Sequence, residues 1–131
     1  MAVFVDTSAI YALLDDRDPG HIRALAIWHR LIAEGEDTVT TNYVVLESTA
    51  LIQRRASAAS AQGVGPISSF MRIVWVDCPV HDQAVSAWSV ANRRELSLTD
   101  CVSFIVARSH GIDRAFAFDR QFEEQGFALE R

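Results

Sequence analysis

Residues 2–14, AVFVDTSAIYALL, decide the fold of this 131-residue chain. The first four of them, Ala2 to Val5, form a short apolar run that predicts a buried strand. From Thr7 to Leu14 the apolar residues recur at helical spacing, which predicts a helix. Asp6 therefore stands at the junction between a strand and a helix.

The same alternation continues along the chain. Further strands are predicted at Asp37 to Thr41, Ile73 to Val76 and Ala115 to Phe118, with a possible edge strand at Phe127 to Leu129. Helices are predicted at His21 to Ala33, Asn42 to Arg55, Val80 to Asn92 and Thr99 to His110, with one or two short pieces in 56–69. This order predicts a single α/β domain over residues 1–131, with helices on both faces of a mostly parallel sheet of four or five strands.

In two of these helices the apolar residues share one face, which predicts the side that is buried. In the helix 21–33 that face contains Ile22, Leu25, Ala26, His29 and Ile32. In the helix 80–92 it contains Ala84, Val85, Trp88 and Ala91.

Composition limits the location of the protein. The N-terminus has no basic start and soon meets Asp6, which argues against a secretory or transit peptide. No apolar run approaches the roughly 20 residues that span a bilayer. Cys78 and Cys101 lack zinc-site spacing, so we interpret both as buried thiols in a reducing compartment. We expect a cytoplasmic protein that does not associate with membranes.

Charge limits how the chain could bind nucleic acid. Its net charge is −5, and its twelve basic residues are all arginine, with adjacent pairs at 54–55 and 93–94. A protein of this kind cannot hold nucleic acid by bulk electrostatic attraction. Any such binding must be local, and the arginine pairs could contact phosphates there.

Four acidic residues stand at element junctions or on otherwise apolar elements: Asp6, Glu47, Asp100 and Asp119. Each has a purely structural interpretation, because Asp6 and Asp119 could cap the helices that follow them, Asp100 could support a cap at Thr99, and Glu47 could face solvent. However, parallel sheets place their ligands at the carboxyl ends of the strands, where Asp6 and Asp119 both lie. Their joint placement favours a functional site.

A cluster of four carboxylates requires a cation. Two carboxylates about 4 Å apart repel by about 4 kcal/mol at an effective dielectric constant near 20. A set of oxygen ligands without histidine or thiol suits Mg²⁺ or Mn²⁺, which also bind phosphate oxygens. The chemistry that fits is phosphodiester cleavage, in which the ion activates water and offsets developing negative charge. A metal ion could also bridge two acidic partners, the protein and a nucleic acid.

Four stretches resemble the PIN-domain ribonucleases, and their order resembles the VapC toxins of type II toxin–antitoxin pairs. They are VFVDTSAIYALL at 3–14, TTNYVVLES at 40–48, LSLTDCVSFIVAR at 96–108 and FAFDRQFEEQGF at 116–127. The resemblance covers nearly the whole chain and implies a PIN-like three-layer α/β/α sandwich. It implies a metal-dependent endoribonuclease that uses Mg²⁺ or Mn²⁺.

The resemblance also implies roles for individual residues and partners. Asp6, Asp100 and Asp119 would bind the metal, Glu47 would bind it or orient its water, and Ser8 would be a supporting hydroxyl. Ala117 departs from the family pattern, in which many relatives have a hydroxyl two positions before the last acid. The implied partners are an RNA substrate, a small antitoxin protein and a second copy of the chain in a homodimer.

Two other interpretations remain. A phosphotransfer site of the receiver or haloacid-dehalogenase type also places aspartates at strand ends, but families of that type use a lysine, and this chain has none. The second alternative is a catalytically silent PIN-like binding scaffold, in which the four acids serve only as helix caps.

Overall fold

Five parallel strands form the centre of the protein in a computed structural model that describes all residues from Met1 to Arg131. The strands are β1 (Ala2–Val5), β2 (Asp37–Thr41), β3 (Arg72–Val74), β4 (Arg114–Phe116) and β5 (Ala128–Leu129). Their order across the sheet is β3-β2-β1-β4-β5, and every neighbouring pair is parallel. The sheet thus has five strands, and the predicted edge strand at the C-terminus is present.

Eight helices connect and cover these strands. They are α1 (Thr7–Leu14), α2 (His21–Ala33), α3 (Asn42–Arg55), α4 (Ala58–Ala61), α5 (Val64–Ser68), α6 (Cys78–Ala91), α7 (Leu98–Ser109) and α8 (Arg120–Glu124). The predicted α/β sandwich is confirmed, and the stretch 56–69 contains two short helices. None of the eight is long and apolar enough to cross a bilayer.

Thirty buried apolar residues form one core around the central strands. Val3, Phe4 and Val5 of β1 are completely buried, as are Ala115 and Phe116 of β4. Their burial explains the continuous apolar runs, because a parallel strand with helices on both faces needs no alternation of polar and apolar residues.

The sheet has a topological switch point at β1. The chain begins in this central strand, continues outward through β2 and β3, and then crosses to β4 on the other side. The amide of Asp6 donates a 3.0 Å hydrogen bond to the carbonyl of Phe116, so the two strands remain paired up to their ends. In open α/β sheets such a point leaves a crevice at the carboxyl ends of the strands.

Several predicted boundaries were shifted. β3 begins at Arg72 and β4 at Arg114, and both strands end two residues earlier than predicted. α6 begins at Cys78, where the Asp77 side chain accepts a hydrogen bond from the amide of Val80. The predicted burial of the Cys78 thiol was wrong, because this first helical residue is exposed, whereas Cys101 is buried.

In α2 the structure buries a different apolar face from the predicted one, and in α6 the predicted inward face is confirmed only at Ala84. α2 buries Ala24, Ile27, Trp28 and Leu31 and leaves Ile22 82% exposed. Both sets follow helical spacing, since α2 has apolar residues on two sides, and spacing alone could not choose between them. In α6 only Ala84 is buried, and Trp88 is 44% exposed.

Candidate active site

A cleft of about 380 Å³ opens beside the switch point of the sheet. All four predicted acids, Asp6, Glu47, Asp100 and Asp119, line it, together with Ser8. They arrive from four different places: the end of β1, the second turn of α3, the first turn of α7 and the segment after β4. The fold therefore brings the predicted site residues to one cavity.

Asp6 is the most enclosed of these acids, with 2% of its surface exposed. It is the N-cap of α1, and its Oδ2 accepts hydrogen bonds from the Ser8 amide at 3.1 Å and the Ser8 hydroxyl at 2.6 Å. Its Oδ1 is buried without any hydrogen-bond partner. Burial raises the pKa of Asp6 to about 7, and the charges of Asp100 and Asp119 add to this rise, while the Ser8 hydrogen bonds oppose it.

Asp100 stands at the first turn of α7 and is 6% exposed. Ser97 caps this helix, and the two residues form a capping box: Asp100 Oδ2 accepts from the Ser97 amide, and Ser97 Oγ accepts from the Asp100 amide, both at 3.0 Å. Burial raises the pKa of Asp100 to about 6, with further contributions from the charges of Asp119 and Glu47. The cap predicted at Thr99 lies two residues earlier, at Ser97.

Asp119 completes a pattern that the three aspartates share. It caps α8, and its Oδ1 accepts a 2.9 Å hydrogen bond from the amide of Gln121. Each aspartate thus uses one carboxylate oxygen in the hydrogen bonds at a helix start, Asp6 and Asp119 as the N-cap and Asp100 in the capping box, and its other oxygen takes no part in them. The structural and the functional interpretations are compatible, because the cap fixes the carboxylate and leaves an oxygen for a ligand.

Ser8 links two strand ends at the bottom of the cleft. Its hydroxyl donates to Asp6 and accepts a 2.9 Å hydrogen bond from the amide of Phe118. Ala117, where the family pattern has a hydroxyl, is buried in the core. The hydroxyl that supports Asp6 in this protein is therefore that of Ser8.

Glu47 reaches the cleft from α3, on a face that it shares with Leu51 and Arg55. The spacing of four residues places these side chains in one row along the helix. Arg55 brings a positive charge to a cavity otherwise dominated by carboxylates. The sequence indicated that Arg54 and Arg55 could contact phosphates. The helical spacing from Glu47 to Arg55 could have shown that Arg55, and not Arg54, lies on the same face as Glu47.

Several other residues line the cleft, and the sequence pattern did not single them out. Tyr11 lies one turn beyond Ser8 on α1, and Phe118 directly precedes Asp119. Asp18 and Glu95 add two further carboxyl groups. Tyr11 could have been found from its position, because residues three and four apart share one face of a helix.

The carboxylates line one cleft but do not form a complete set of metal ligands. No three side chains of the histidine, cysteine, aspartate and glutamate types stand in an arrangement that could hold a metal ion as they are. Mutual repulsion keeps ionised carboxylates apart. The buried and unpartnered Oδ1 of Asp6 and the purely oxygen chemistry of the four acids nevertheless fit a hard divalent cation.

Comparison with known proteins identifies relatives for nearly the whole chain. The family model described as PIN domain matches residues 3–128. The chain is 35% identical over 128 residues to the 23S rRNA-specific endonuclease VapC20 of Mycobacterium tuberculosis, which covers 95% of each chain.

Solved structures give the same result. The crystal structure of M. tuberculosis VapC20, described as a sarcin–ricin loop cleaving toxin, matches with a TM-score of 0.84 and 33% identity over 96% of both chains. A chain of VapBC2 from Rickettsia felis, solved with a fragment of promoter DNA, matches with a TM-score of 0.67 over 99% of this chain and 98% of that one. At 12% identity, this second likeness concerns the fold alone.

Proposed function

Because the chain belongs to the PIN-domain family, we propose that it is an endoribonuclease that cleaves RNA phosphodiester bonds in the carboxylate-lined cleft. The observation that carries the proposal is the convergence of Asp6, Glu47, Asp100 and Asp119 on one cavity at the switch point of the sheet. The similarity to an endonuclease over 95% of the chain supports the same conclusion.

The proposed cofactor is Mg²⁺ or Mn²⁺. Asp6, Asp100 and Asp119 would hold the ion with the oxygens that their helix caps leave free, and Glu47 would bind it or orient its water. A bound divalent ion of this kind polarises the phosphate and makes a water molecule a better nucleophile at neutral pH.

The protein's own residues prepare the site for this chemistry. Ser8 and Ser97 hold the carboxylates of Asp6 and Asp100 by hydrogen bonds, which limits the freedom of these two side chains. The pKa of Asp6 is raised to about 7. A cation that binds this carboxylate can therefore displace its proton in the pH range of the cell. Arg55 faces the same cleft and would contact a phosphate of the substrate.

The proposed substrate is ribosomal RNA. VapC20 is described as a 23S rRNA-specific endonuclease and as cleaving the sarcin–ricin loop, and this chain matches it over its whole fold. A looped RNA suits a cleft of this kind, because unpaired nucleotides can turn their bases and phosphates toward a protein surface. We therefore propose a toxin that acts on 23S rRNA in the cytoplasm.

The decisive experiment compares wild type with Asp6→Asn on intact ribosomes. Wild type with Mn²⁺ should cut 23S rRNA at one site, located by primer extension, and chelation should abolish the cut. Asp6→Asn should be inactive, whereas the matched control Asp16→Asn should cut normally, because Asp16 is exposed and lies outside the cleft. Equal cleavage by wild type and Asp6→Asn would overturn the proposed active site, and an absence of cleavage by wild type would favour the silent scaffold.

The proposed protein partners are a small antitoxin and a second copy of the chain. The resemblance to VapC toxins supports both. Several large apolar side chains, among them Ile22 and Leu46, are 82% and 71% exposed, as is common where a partner binds. Light scattering of the purified protein would test the homodimer, and growth arrest that is relieved by a neighbouring gene would test the toxin–antitoxin pair.

A further inference from the structure

A second cleft lies directly beside the acidic one. Its volume is about 680 Å³, and its wall includes Trp88, Arg93, Arg94, Leu96 and Ser97. Ser97 also lines the acidic cleft, where it holds Asp100. The two clefts therefore meet at the residue that positions a proposed metal ligand.

The charge of this second cleft is opposite to that of the first. Its lining contains two arginines and no carboxylate, in a protein whose net charge is −5. Arg93 is held at the rim by ion pairs with Glu95 at 2.9 Å and Glu124 at 3.2 Å. Arg94 is exposed and takes part in none of the ion pairs of the protein, so its charge is available to a ligand.

Trp88 supplies an aromatic surface in the same cleft. The sequence pattern predicts that this side chain is buried, but it is 44% exposed near the end of α6. The helix stops at Asn92, whose left-handed backbone (φ 48°) turns the chain into the segment that carries Arg93 and Arg94. The turn thus places an indole ring and a free guanidinium on one wall.

We propose that this cleft binds a nucleotide adjacent to the scissile phosphate, with its base stacked on Trp88 and its phosphate paired with Arg94. This inference rests on the proposed function, because it assigns a substrate subsite to the same nuclease. Proteins that bind single-stranded RNA combine aromatic rings with positive charge in this way. Unpaired nucleotides in a loop can supply both the free base and the phosphate.

RNA fits the cleft better than a protein segment does. A basic tail that complements the acidic cleft would meet the like charge of the unpaired Arg94 here. An RNA strand would instead be attracted to both clefts, because its phosphates would pair with Arg94 in the second cleft and with a metal ion in the first. One continuous strand can therefore cross both clefts.

Binding measurements test the subsite separately from cleavage. A fluorescent single-stranded oligoribonucleotide is titrated with Asp6→Asn protein in Mg²⁺, and the RNA is checked for integrity afterwards. Adding Trp88→Leu should weaken binding by roughly 5- to 100-fold, the range expected for one lost base stack. Trp88→Phe should retain most of the affinity, and Trp75→Leu, which removes an exposed tryptophan outside the cleft, should leave it unchanged.

Salt dependence tests the role of Arg94. Arg94→Gln should reduce the slope of log affinity against log salt by about 0.7, the value for one phosphate contact to a single strand. Arg72→Gln removes the same charge at the first residue of β3 and should leave the slope unchanged. Binding by Trp88→Leu that equals binding by Trp75→Leu, or an unchanged slope in Arg94→Gln, would overturn the subsite.

The two proposals fail differently. If Asp6→Asn cuts RNA as well as wild type while Trp88→Leu still weakens binding, the active site is wrong and the RNA subsite stands. If wild type cuts and Asp6→Asn does not, but Trp88→Leu loses affinity only for a partner protein, the second cleft is a protein interface and the subsite is wrong.

Discussion

The Ser8 hydroxyl lies 2.6 Å from Oδ2 of Asp6 and donates the shortest side-chain hydrogen bond to that carboxylate. Together with the Ser8 amide, it stabilises the ionised form of a group whose burial favours the protonated form. It also accepts from the Phe118 amide, which fixes the position of the oxygen. Ser8 is thus a positioning residue for Asp6.

Ser8→Ala should weaken Mn²⁺ binding and RNA cleavage by roughly 10- to 100-fold, as is typical when the residue that orients a metal ligand is lost. It should also raise the pKa of Asp6 further, because a hydrogen bond to the carboxylate disappears. Calorimetric titration with Mn²⁺ at two pH values measures both effects. Ser8→Thr retains the hydroxyl and should behave like wild type, so an equal loss in both variants would contradict this role.

The stability of the metal-free protein should fall as the pH rises from about 5 to 8. Asp6 and Asp100, with pKa values of about 7 and about 6, hold their protons more tightly in the folded protein than in the unfolded chain. The free energy of unfolding therefore decreases as the pH rises from the unfolded value near 4 through these folded values. For Asp6 alone the loss is on the order of 2 kcal/mol.

Urea denaturation in EDTA at pH 5 and pH 8 measures this loss. Asp6→Asn cannot ionise at this position and should lose much less stability over the same interval. A pH dependence equal to that of wild type would show that Asp6 does not titrate as its burial implies.

Asp100→Asn should abolish cleavage and yet leave the metal-free protein at least as stable as wild type at pH 8. The substitution removes a charge from an unneutralised cluster, and the amide oxygen can still accept from the Ser97 backbone. Asp100→Ala removes that acceptor and should lose about 1 kcal/mol relative to Asp100→Asn. Thermal melts in EDTA rank the three proteins, and a clear drop in Asp100→Asn would indicate that the residue acts mainly as a cap.

Arg114 should be the most important charged residue for stability. At the amino end of β4 it bonds Glu130 at 2.8 Å and Glu36 at 3.0 Å, and the Glu130 side chain is only 8% exposed. Arg114→Ala leaves that enclosed carboxylate without its main partner and should lower the free energy of unfolding by about 3 kcal/mol. Urea denaturation measures the loss.

The exposed pair of Arg72 and Asp37 offers the control for this measurement. Its side chains are 48% and 49% exposed, so Arg72→Ala should lose less than about 1 kcal/mol. Residual cleavage per folded molecule should be unaffected in both variants, since Arg72 and Arg114 lie at the amino ends of their strands and the cleft lies at the carboxyl ends. Similar losses in the two variants would contradict the role of enclosure.

The sequence predicted the parts of the fold that depend on local pattern. The apolar run before Asp6 and the helical spacing after it specify the junction that the structure contains, and the same holds for β4 and Asp119. Strand order was beyond local pattern, because the pairing of β1 with β4 joins segments far apart in the chain. The convergence of the acids was therefore an inference from position and family resemblance, and their distances could not be predicted.

The wrong predictions of which residues are buried in α2 and α6 have a common physical cause. Helix α2 has two apolar faces, and the face with Trp28 and Leu31 is the buried one because it packs against the core. In α6 the pattern of Trp88 resembled a core position, but only Ala84 of that helix is buried. Which stripe is covered depends on how neighbouring elements pack, and a single helix carries no information about its neighbours. The exposed indole of Trp88 was consequently visible only in three dimensions.

The pairing of β1 with β4 determines when during its synthesis the protein can assemble the proposed active site. During synthesis Asp6 is made early, whereas Phe116 and Asp119 follow much later in the chain. Until β4 and the residues after it are made, the central strand lacks one neighbour, and Asp6 lacks Asp119, with which it shares the cleft. A nascent chain that stops before β4 therefore lacks one of the four acids of the proposed catalytic centre, and we expect it to cleave no RNA.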